Sequence, residues 1–151
     1  MIFFESGNLL QKKQIDALVN PVNCVGVMGK GLALQFRHQY PEAYQLYLLA
    51  CQTKELRPGR VHIVHREDSS LPRYIVHFPT KSHWRDRSLL EDIQSGLLDL
   101  QRQIKRLGIR SIAIPALGCG NGGLEWDVVR DLLLTSCASN PSVSFHIFSP
   151  Q

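Results

Sequence analysis

Two glycine-rich stretches carry the spacing most able to do chemistry in this chain of 151 residues. The first runs from Asn20 to Ala33, with Gly26, Gly29 and Gly31 between an apolar segment and an apolar-periodic one. The second runs from Leu117 to Leu124 and holds Gly118, Gly120, Gly122 and Gly123. Glycines let the backbone turn tightly, and amides freed at the start of a helix favour an anion through their N–H groups and the helix dipole. Two such cradles suit a diphosphate. A third stretch, Thr80 to Arg87, joins His83 and Trp84 to Arg85 and Arg87. An aromatic face beside guanidinium groups can stack a base and hold phosphates, as single-strand binders do. The plainer alternative has Trp84 covering the edge of the core and the arginines pairing with Asp86.

Familiar nucleotide motifs fail in detail. Lys30 is followed by Gly31 and Leu32, so no Ser or Thr is present to hold magnesium as a P-loop would. Gly118 to Gly123 matches G-x-G-x-x-G, yet one strand alone follows it and no acidic residue ends a strand about twenty residues later. A Rossmann oxidoreductase is therefore disfavoured. Cys24, Cys51, Cys119 and Cys137 are scattered, so neither a metal site nor a disulfide framework is expected. With 44% hydrophobic and 20% charged residues the composition is that of an ordinary globular domain. No apolar run reaches membrane-spanning length, and the N-terminus lacks a basic segment followed by a long apolar one, so no membrane contact and a cytoplasmic location are expected. The net charge of +4 permits a polyanionic partner without requiring one.

The elements that must position these loops follow from patterning. Ile2 to Glu5 reads as a strand, with Ser6-Gly7-Asn8 capping a short segment over Leu9 to Lys13. Ile15 to Val19 reads as a buried strand stopped by Pro21, and Leu32 to His38 as a helix. Pro41 opens a further helix to about Thr53, with Ala43, Tyr44, Tyr47, Leu48 and Cys51 on one face. Val61 to His65 and Tyr74 to Phe78 form a hairpin across a polar turn at Asp68 to Pro72. Ser88 to Glu91 has the capping-box pattern, opening a long helix through Ile93, Leu97, Leu100, Ile104 and Leu107 to a Gly108 cap. A strand at Ser111 to Pro115, a helix from Glu125 to near Asn140, and a strand at Val143 to Phe148 close the chain. Alternating strands and helices with one hairpin predict an α/β fold of three layers, α/β/α, around a mixed, mostly parallel sheet. Arg102, Lys105, Arg106 and Arg110 read as the solvated face of the long helix.

Three ordered motifs make the sequence recognisable. Ser6-Gly7-Asn8-Leu9-Leu10, then Ala17-Leu18-Val19-Asn20-Pro21-Val22-Asn23 leading to Gly29-Lys30-Gly31-Leu32-Ala33, and Ile114 to Gly120 together resemble a macrodomain over essentially the whole chain. Asn121-Gly122-Gly123-Leu124-Glu125-Trp126 and the Thr80-Lys81 pair resemble the DarG antitoxin branch, related to terminal ADP-ribose glycohydrolases. The resemblance implies a macrodomain fold and removal of ADP-ribose that a DarT-type toxin attaches to thymidine in single-stranded DNA. It also implies a further C-terminal domain in the natural antitoxin, so the 151 residues read as one macrodomain, consistent with excision from a longer protein.

Residue roles carry over by position. Asn8 would contact adenine with help from the Leu9 main chain. Gly29, Lys30, Gly31, Leu32 and Ala33 would hold one phosphate, and Gly118, Cys119, Gly120, Asn121, Gly122 and Gly123 the other. Asn23 would orient the distal ribose and Lys81 would attack its anomeric carbon, forming a covalent intermediate that water releases. On residue type alone, Asn8 and Asn23 equally suit turns bonding their own backbone, and Lys81 suits a solvated charge. The lysine needs a free amine, which shielding beneath Phe78 and Trp84 would favour.

Relatives of the terminal-glycohydrolase type carry an acidic residue where this chain has Gly122, which leaves the general acid unassigned. Thymine leaving through its imide nitrogen is an anion spread over two carbonyls and needs less protonation than an alkoxide. The DNA would be held by His83, Trp84, Arg85 and Arg87, with His83 also a possible proton donor. The expected activity is hydrolysis of ADP-ribosyl-thymidine in DNA by a monomer without cofactor or metal. The alternatives are a non-catalytic ADP-ribose reader and a glycohydrolase acting on ADP-ribosylated acidic side chains.

Overall fold

A computed structural model describes residues 1–67 and 70–151. The polar turn expected at Asp68 to Pro72 falls partly outside the described residues. Six strands form one sheet: β1 Ile2–Glu5, β2 Ala17–Val22, β3 His62–His65, β4 Tyr74–Pro79, β5 Ser111–Ile114 and β6 Ser144–Phe148. Their order is β1-β6-β5-β2-β4-β3, with β3 antiparallel to β4 and every other pairing parallel. Four α-helices, α1 Gly31–Gln39, α2 Pro41–Gln52, α3 Leu90–Leu107 and α4 Trp126–Ala138, cover the two faces. The three-layer α/β/α architecture expected from patterning is the one observed.

On one face Ile93, Leu97, Leu100 and Ile104 of α3 join Val129 and Leu133 of α4 over the sheet residues Val76, Phe78, Ile112 and Ile114. On the other, Phe36 of α1 and Ala43 of α2 pack with Leu9, Leu10, Leu18 and Ile75. Both layers close over the strands and leave the carboxyl ends of the parallel strands open, where ligands of α/β sheets bind.

Two local expectations change. Pro21 does not stop β2, which runs on through Val22 in register with β4 (Pro21 opposite Phe78). In a parallel ladder successive residues face alternate neighbours, and Val22 accepts from Thr80 on the β4 side, so Pro21 faces β5. The β2–β5 pairing has already ended at Leu18, so the missing N–H of Pro21 costs no ladder bond. The capping box at Ser88 is also absent: Leu89 is the N-cap of α3 and no side chain caps the helix. The Ser88 hydroxyl is instead buried against the second glycine loop. Gly108 ends α3 in the left-handed conformation, as expected.

A buried polar line ties α2 to the sheet. His77 in β4 is fully buried, stacked on His62, with its Nε2 3.2 Å from the Ala43 carbonyl and its Nδ1 3.4 Å from Asn20 Nδ2. These partners fix the neutral tautomer, with Nε2–H donating to Ala43 and Nδ1 accepting from Asn20. Burial first, then the neighbouring His62, lowers the His77 pKa to about 3. The folded value lies below the unfolded one, so full stability is present above the unfolded pKa and is lost as pH falls through the window between the two. Stability should therefore fall by about 1.4 kcal/mol per pH unit below about pH 6.5 from this one group. Urea midpoints measured from about pH 7 down to about pH 5 check it, and a His77→Gln variant should flatten that slope.

Candidate active site

At the β1 end of the cleft, Asn8 caps a short 3-10 turn at Leu9–Gln11, its Oδ1 accepting from Leu10 N at 3.0 Å. Its Nδ2 donates to Gln35 Oε1 of α1 at 2.9 Å. Asn8 is thus a turn residue that also fastens this corner to the helix following the first glycine loop. An open hollow of about 530 Å³ adjoins it on the α4 side, lined by Ser6, Trp126, Arg130 and Ser149 among others.

The first glycine loop is knotted around Asn23. Its Oδ1 accepts from Val25 N at 3.1 Å and Val27 N at 3.3 Å, while its Nδ2 donates to the Val27 carbonyl at 2.8 Å. Tyr47, buried in α2, donates its hydroxyl to Asn23 O at 2.9 Å and Oδ1 at 2.8 Å. Burial pushes the Tyr47 hydroxyl far above its ordinary pKa, so it remains a donor. Sequence reasoning missed Tyr47, because its partner lies twenty-four residues away across a helix. The knot consumes the amides of Val25 and Val27 and leaves the first-turn amides of Gly31, Leu32 and Ala33 without a partner among the described residues. Unbonded amides at a helix N-terminus favour an anion. Removing the hydroxyl in Tyr47→Phe leaves the Asn23 carbonyl without its donor. The expected loss is about 1 kcal/mol of stability, read by thermal melting.

The second glycine loop follows β5, the neighbour of β2 in the sheet. Leu124 N donates to Gly118 O at 2.9 Å and Gly123 N to Gly120 O at 3.2 Å, which folds the loop over itself. The amides of Gly120, Asn121 and Gly122 make no such bond among the described residues. Ser88 N donates to Gly122 O at 3.0 Å, and the Ser88 hydroxyl, buried without a hydrogen-bond partner among the described residues, presses on Gly118 and Gly122. A Cβ at Gly122 would stand 2.3 Å from Ser88 Oγ and 2.5 Å from Gly118 O. This close packing is the physical reason that no acidic side chain can occupy position 122 in this loop.

Lys81 follows β4 on a segment bound to the first glycine loop, with Thr80 N to Val22 O and Cys24 N to Ser82 O both at 2.9 Å. Lys81 therefore sits beside Asn23 and Cys24, half-buried, its Nζ donating to the Trp84 carbonyl at 3.0 Å. The expected shielding beneath Phe78 and Trp84 is not found. Strand alternation turns the Phe78 ring toward Gly96 of α3, and Trp84 is 50% exposed. Burial pushes the thiols of Cys24, up to about 12, and of Cys119 upward.

The loop beyond Lys81 presents its side chains outward. Trp84 packs on His83 at 5.2 Å between ring centroids, and the Arg85 guanidinium lies over the Trp84 ring at 5.2 Å. Asp86 accepts from His83 N at 3.1 Å, so it organises the loop backbone rather than pairing with an arginine. Arg85 N donates to His83 Nδ1 at 3.1 Å, which leaves the opposite ring nitrogen, Nε2, as the one that carries the proton. Arg87 turns back, its guanidinium occupying the space above Gly123. The structure thus brings the Lys81 segment against the first glycine loop and the Arg87 guanidinium over the second, with Trp84 and Arg85 exposed on the loop between them. Among the described residues no group of three or more potential metal ligands occurs, and no helix is long and apolar enough to cross a membrane.

This sheet order and the paired glycine loops at the strand ends define a macrodomain. The Macro domain family model matches residues 19–133, and the chain belongs to that family. Its similarity is to the DarG type. It is 47% identical over 150 residues to the DNA ADP-ribosyl glycohydrolase of Mycobacterium tuberculosis, covering 99% of this chain and 42% of that protein. The solved macrodomain of Mycobacterium tuberculosis DarG superposes with a TM-score of 0.97 at 46% identity, covering 100% of this chain and 99% of that one. Thermosipho africanus DarTG in complex with ADP-ribose superposes with a TM-score of 0.91 at 36% identity, covering 99% of this chain and 41% of that one. The chain thus spans about two fifths of the full-length relative it matches.

Proposed function

We propose that this macrodomain is a DNA ADP-ribosylglycohydrolase that removes ADP-ribose from thymidine in single-stranded DNA and so opposes a DarT-type toxin. One observation supports the reading: the Cys24–Ser82 bond holds the Lys81 segment against the first glycine loop, next to the exposed Trp84–Arg85 pair. The names and structures of the similar proteins support the same ligand and substrate class.

In the proposed reaction the glycine loops hold the diphosphate and Asn23 orients the distal ribose. The Lys81 amine, released from the Trp84 carbonyl, forms a bond to the anomeric carbon as the bond from that carbon to the thymine nitrogen breaks. The electron pair leaves on thymine, where the two flanking carbonyls delocalise it, and the base then takes up a proton. The secondary ammonium formed as the lysine nitrogen bonds to the anomeric carbon carries the proton that thymine takes up, directly or through water; His83, whose Nδ1 accepts from Arg85 N, donates one only after taking up a second proton. Water releases the sugar from the lysine. No metal or cofactor enters this scheme, and one chain supplies every group.

Two substrates separate this reading from its rivals. Oligonucleotides bearing ADP-ribosyl-thymidine and a protein bearing glutamate-linked ADP-ribose are offered in parallel, with ADP-ribose binding measured on the same sample. Release from DNA alone is expected. Release from the protein substrate alone would make this a side-chain glycohydrolase, and binding without either release would make it a reader.

A further inference from the structure

We propose that a groove lined by Arg57, Arg60 and Arg102 holds backbone phosphates of the DNA strand leaving the cleft past Lys81, an inference that rests on the function proposed above. The direction is set by topology. ADP-ribose would run from Asn8, which caps the turn after β1 and bonds to Gln35 of α1, to Lys81 after β4, and β3 is the strand beyond β4 in the sheet, so whatever is attached to the distal ribose would continue toward β3. His62 at the start of β3 pairs with His77 near the end of β4, so the chain entering β3 lies beside the strand end from which Lys81 emerges. That entering segment is Arg57-Pro58-Gly59-Arg60.

The groove is built rather than loose. Arg60 N donates to Arg57 O at 3.2 Å, closing a tight turn. Gly59 adopts φ +91 within it, and a Cβ there would stand 3.3 Å from Ser95 of α3. Val61 N donates to Asp99 Oδ2 at 2.8 Å, fastening the same segment to α3 one residue later. The space between is about 430 Å³ and is lined by Arg57, Pro58, Gly59, Arg60, Asp99 and Arg102.

Charge selects the occupant. Three guanidinium groups face one carboxylate, and that carboxylate is already engaged by Val61 N and, at 3.4 Å, by Arg102. Arg57 and Arg60 are exposed and take part in no ion pair among the described residues. Glu55 acts on the same His62 ring as Arg60 without pairing to it. Cations held on a rigid turn at the exit of a nucleic-acid cleft fit successive phosphates of a single strand, adding affinity without reading sequence.

The test is an Arg57→Ala/Arg60→Ala variant, which leaves the Arg102–Asp99 contact intact. Wild type and variant are compared on ADP-ribosyl-thymidine nucleoside, on the same lesion within a longer single strand, and in binding an unmodified strand across a salt series. The variant should raise KM for the long substrate about tenfold with kcat unchanged, leave the nucleoside kinetics unchanged, and reduce the salt slope of strand binding by about 1.4 for two phosphate contacts. An unchanged KM for the long strand and an unchanged salt slope would overturn the proposal. If wild type cleaves neither substrate, the hydrolase reading fails. The groove is then judged on the unmodified strand alone, where a slope that the variant does not change overturns it and a reduced slope sustains it.

Discussion

Lys81→Ala should lower release of ADP-ribose from DNA by at least about a hundredfold, equivalent to about 2.7 kcal/mol of transition-state stabilisation, while ADP-ribose binding stays within about threefold. The split follows from geometry. Among the described residues the lysine's one hydrogen bond is to the Trp84 carbonyl, and the group is half-buried, so truncation leaves no deeply buried partner stranded. The proposed phosphate cradles are main-chain amides on other segments, which the substitution leaves in place. Lys81→Arg should be as inactive as Lys81→Ala, because a guanidinium keeps the positive charge but is never a free amine. Equal activity of the arginine variant and wild type would mean that charge, not nucleophilicity, is what the position supplies. Released ADP-ribose by single-turnover chromatography, with calorimetric titration alongside, reads both quantities.

Gly122→Ala should be the most damaging single-methyl change in the cleft. The added Cβ would meet Ser88 Oγ at 2.3 Å and the Gly118 carbonyl at 2.5 Å, and the second is backbone that cannot rotate away. Relief requires the second glycine loop to open, which displaces the amides of Gly120 and Asn121. The expected result is a loss of about 1–3 kcal/mol of stability and ADP-ribose binding at least about tenfold weaker. Ser88→Ala in the same background removes one obstacle and should restore little. Gly120→Ala is the internal comparison, since nothing lies within 4 Å of its Cβ position and its melting temperature should match wild type. Thermal melts of the three variants with and without ADP-ribose decide it.

Much of this architecture was legible because the signals are local. The three-and-four spacing of Ile93, Leu97, Leu100 and Ile104 marked the buried face of α3, and Gly108 marked its end. The glycine loops stand between strand and helix where patterning put them. What could not be read depends on neighbours far along the chain. Pro21 is tolerated in β2 because β5 has already diverged, which no local rule reveals. Ser88 has the spacing of a helix cap, but the second glycine loop takes up its side chain. Phe78 adjoins Lys81 in sequence yet faces α3, because side chains alternate along β4. Asn23 was legible as a residue that matters, whereas the Tyr47 hydroxyl that holds it comes from the next helix. Asn8 and Asn23 each tie their own turn, which is the turn reading of both residues.

The central claim is that Lys81 turns an ADP-ribose site into a glycohydrolase for DNA. The most direct measurement incubates the wild-type domain with a single-stranded oligonucleotide carrying one ADP-ribosyl-thymidine and weighs both products by mass spectrometry. The expected result is free ADP-ribose and an oligonucleotide restored to unmodified thymidine in equal amounts, with neither formed by Lys81→Ala. An intact substrate after incubation with wild type that still binds ADP-ribose, or equal release by both proteins, would contradict it.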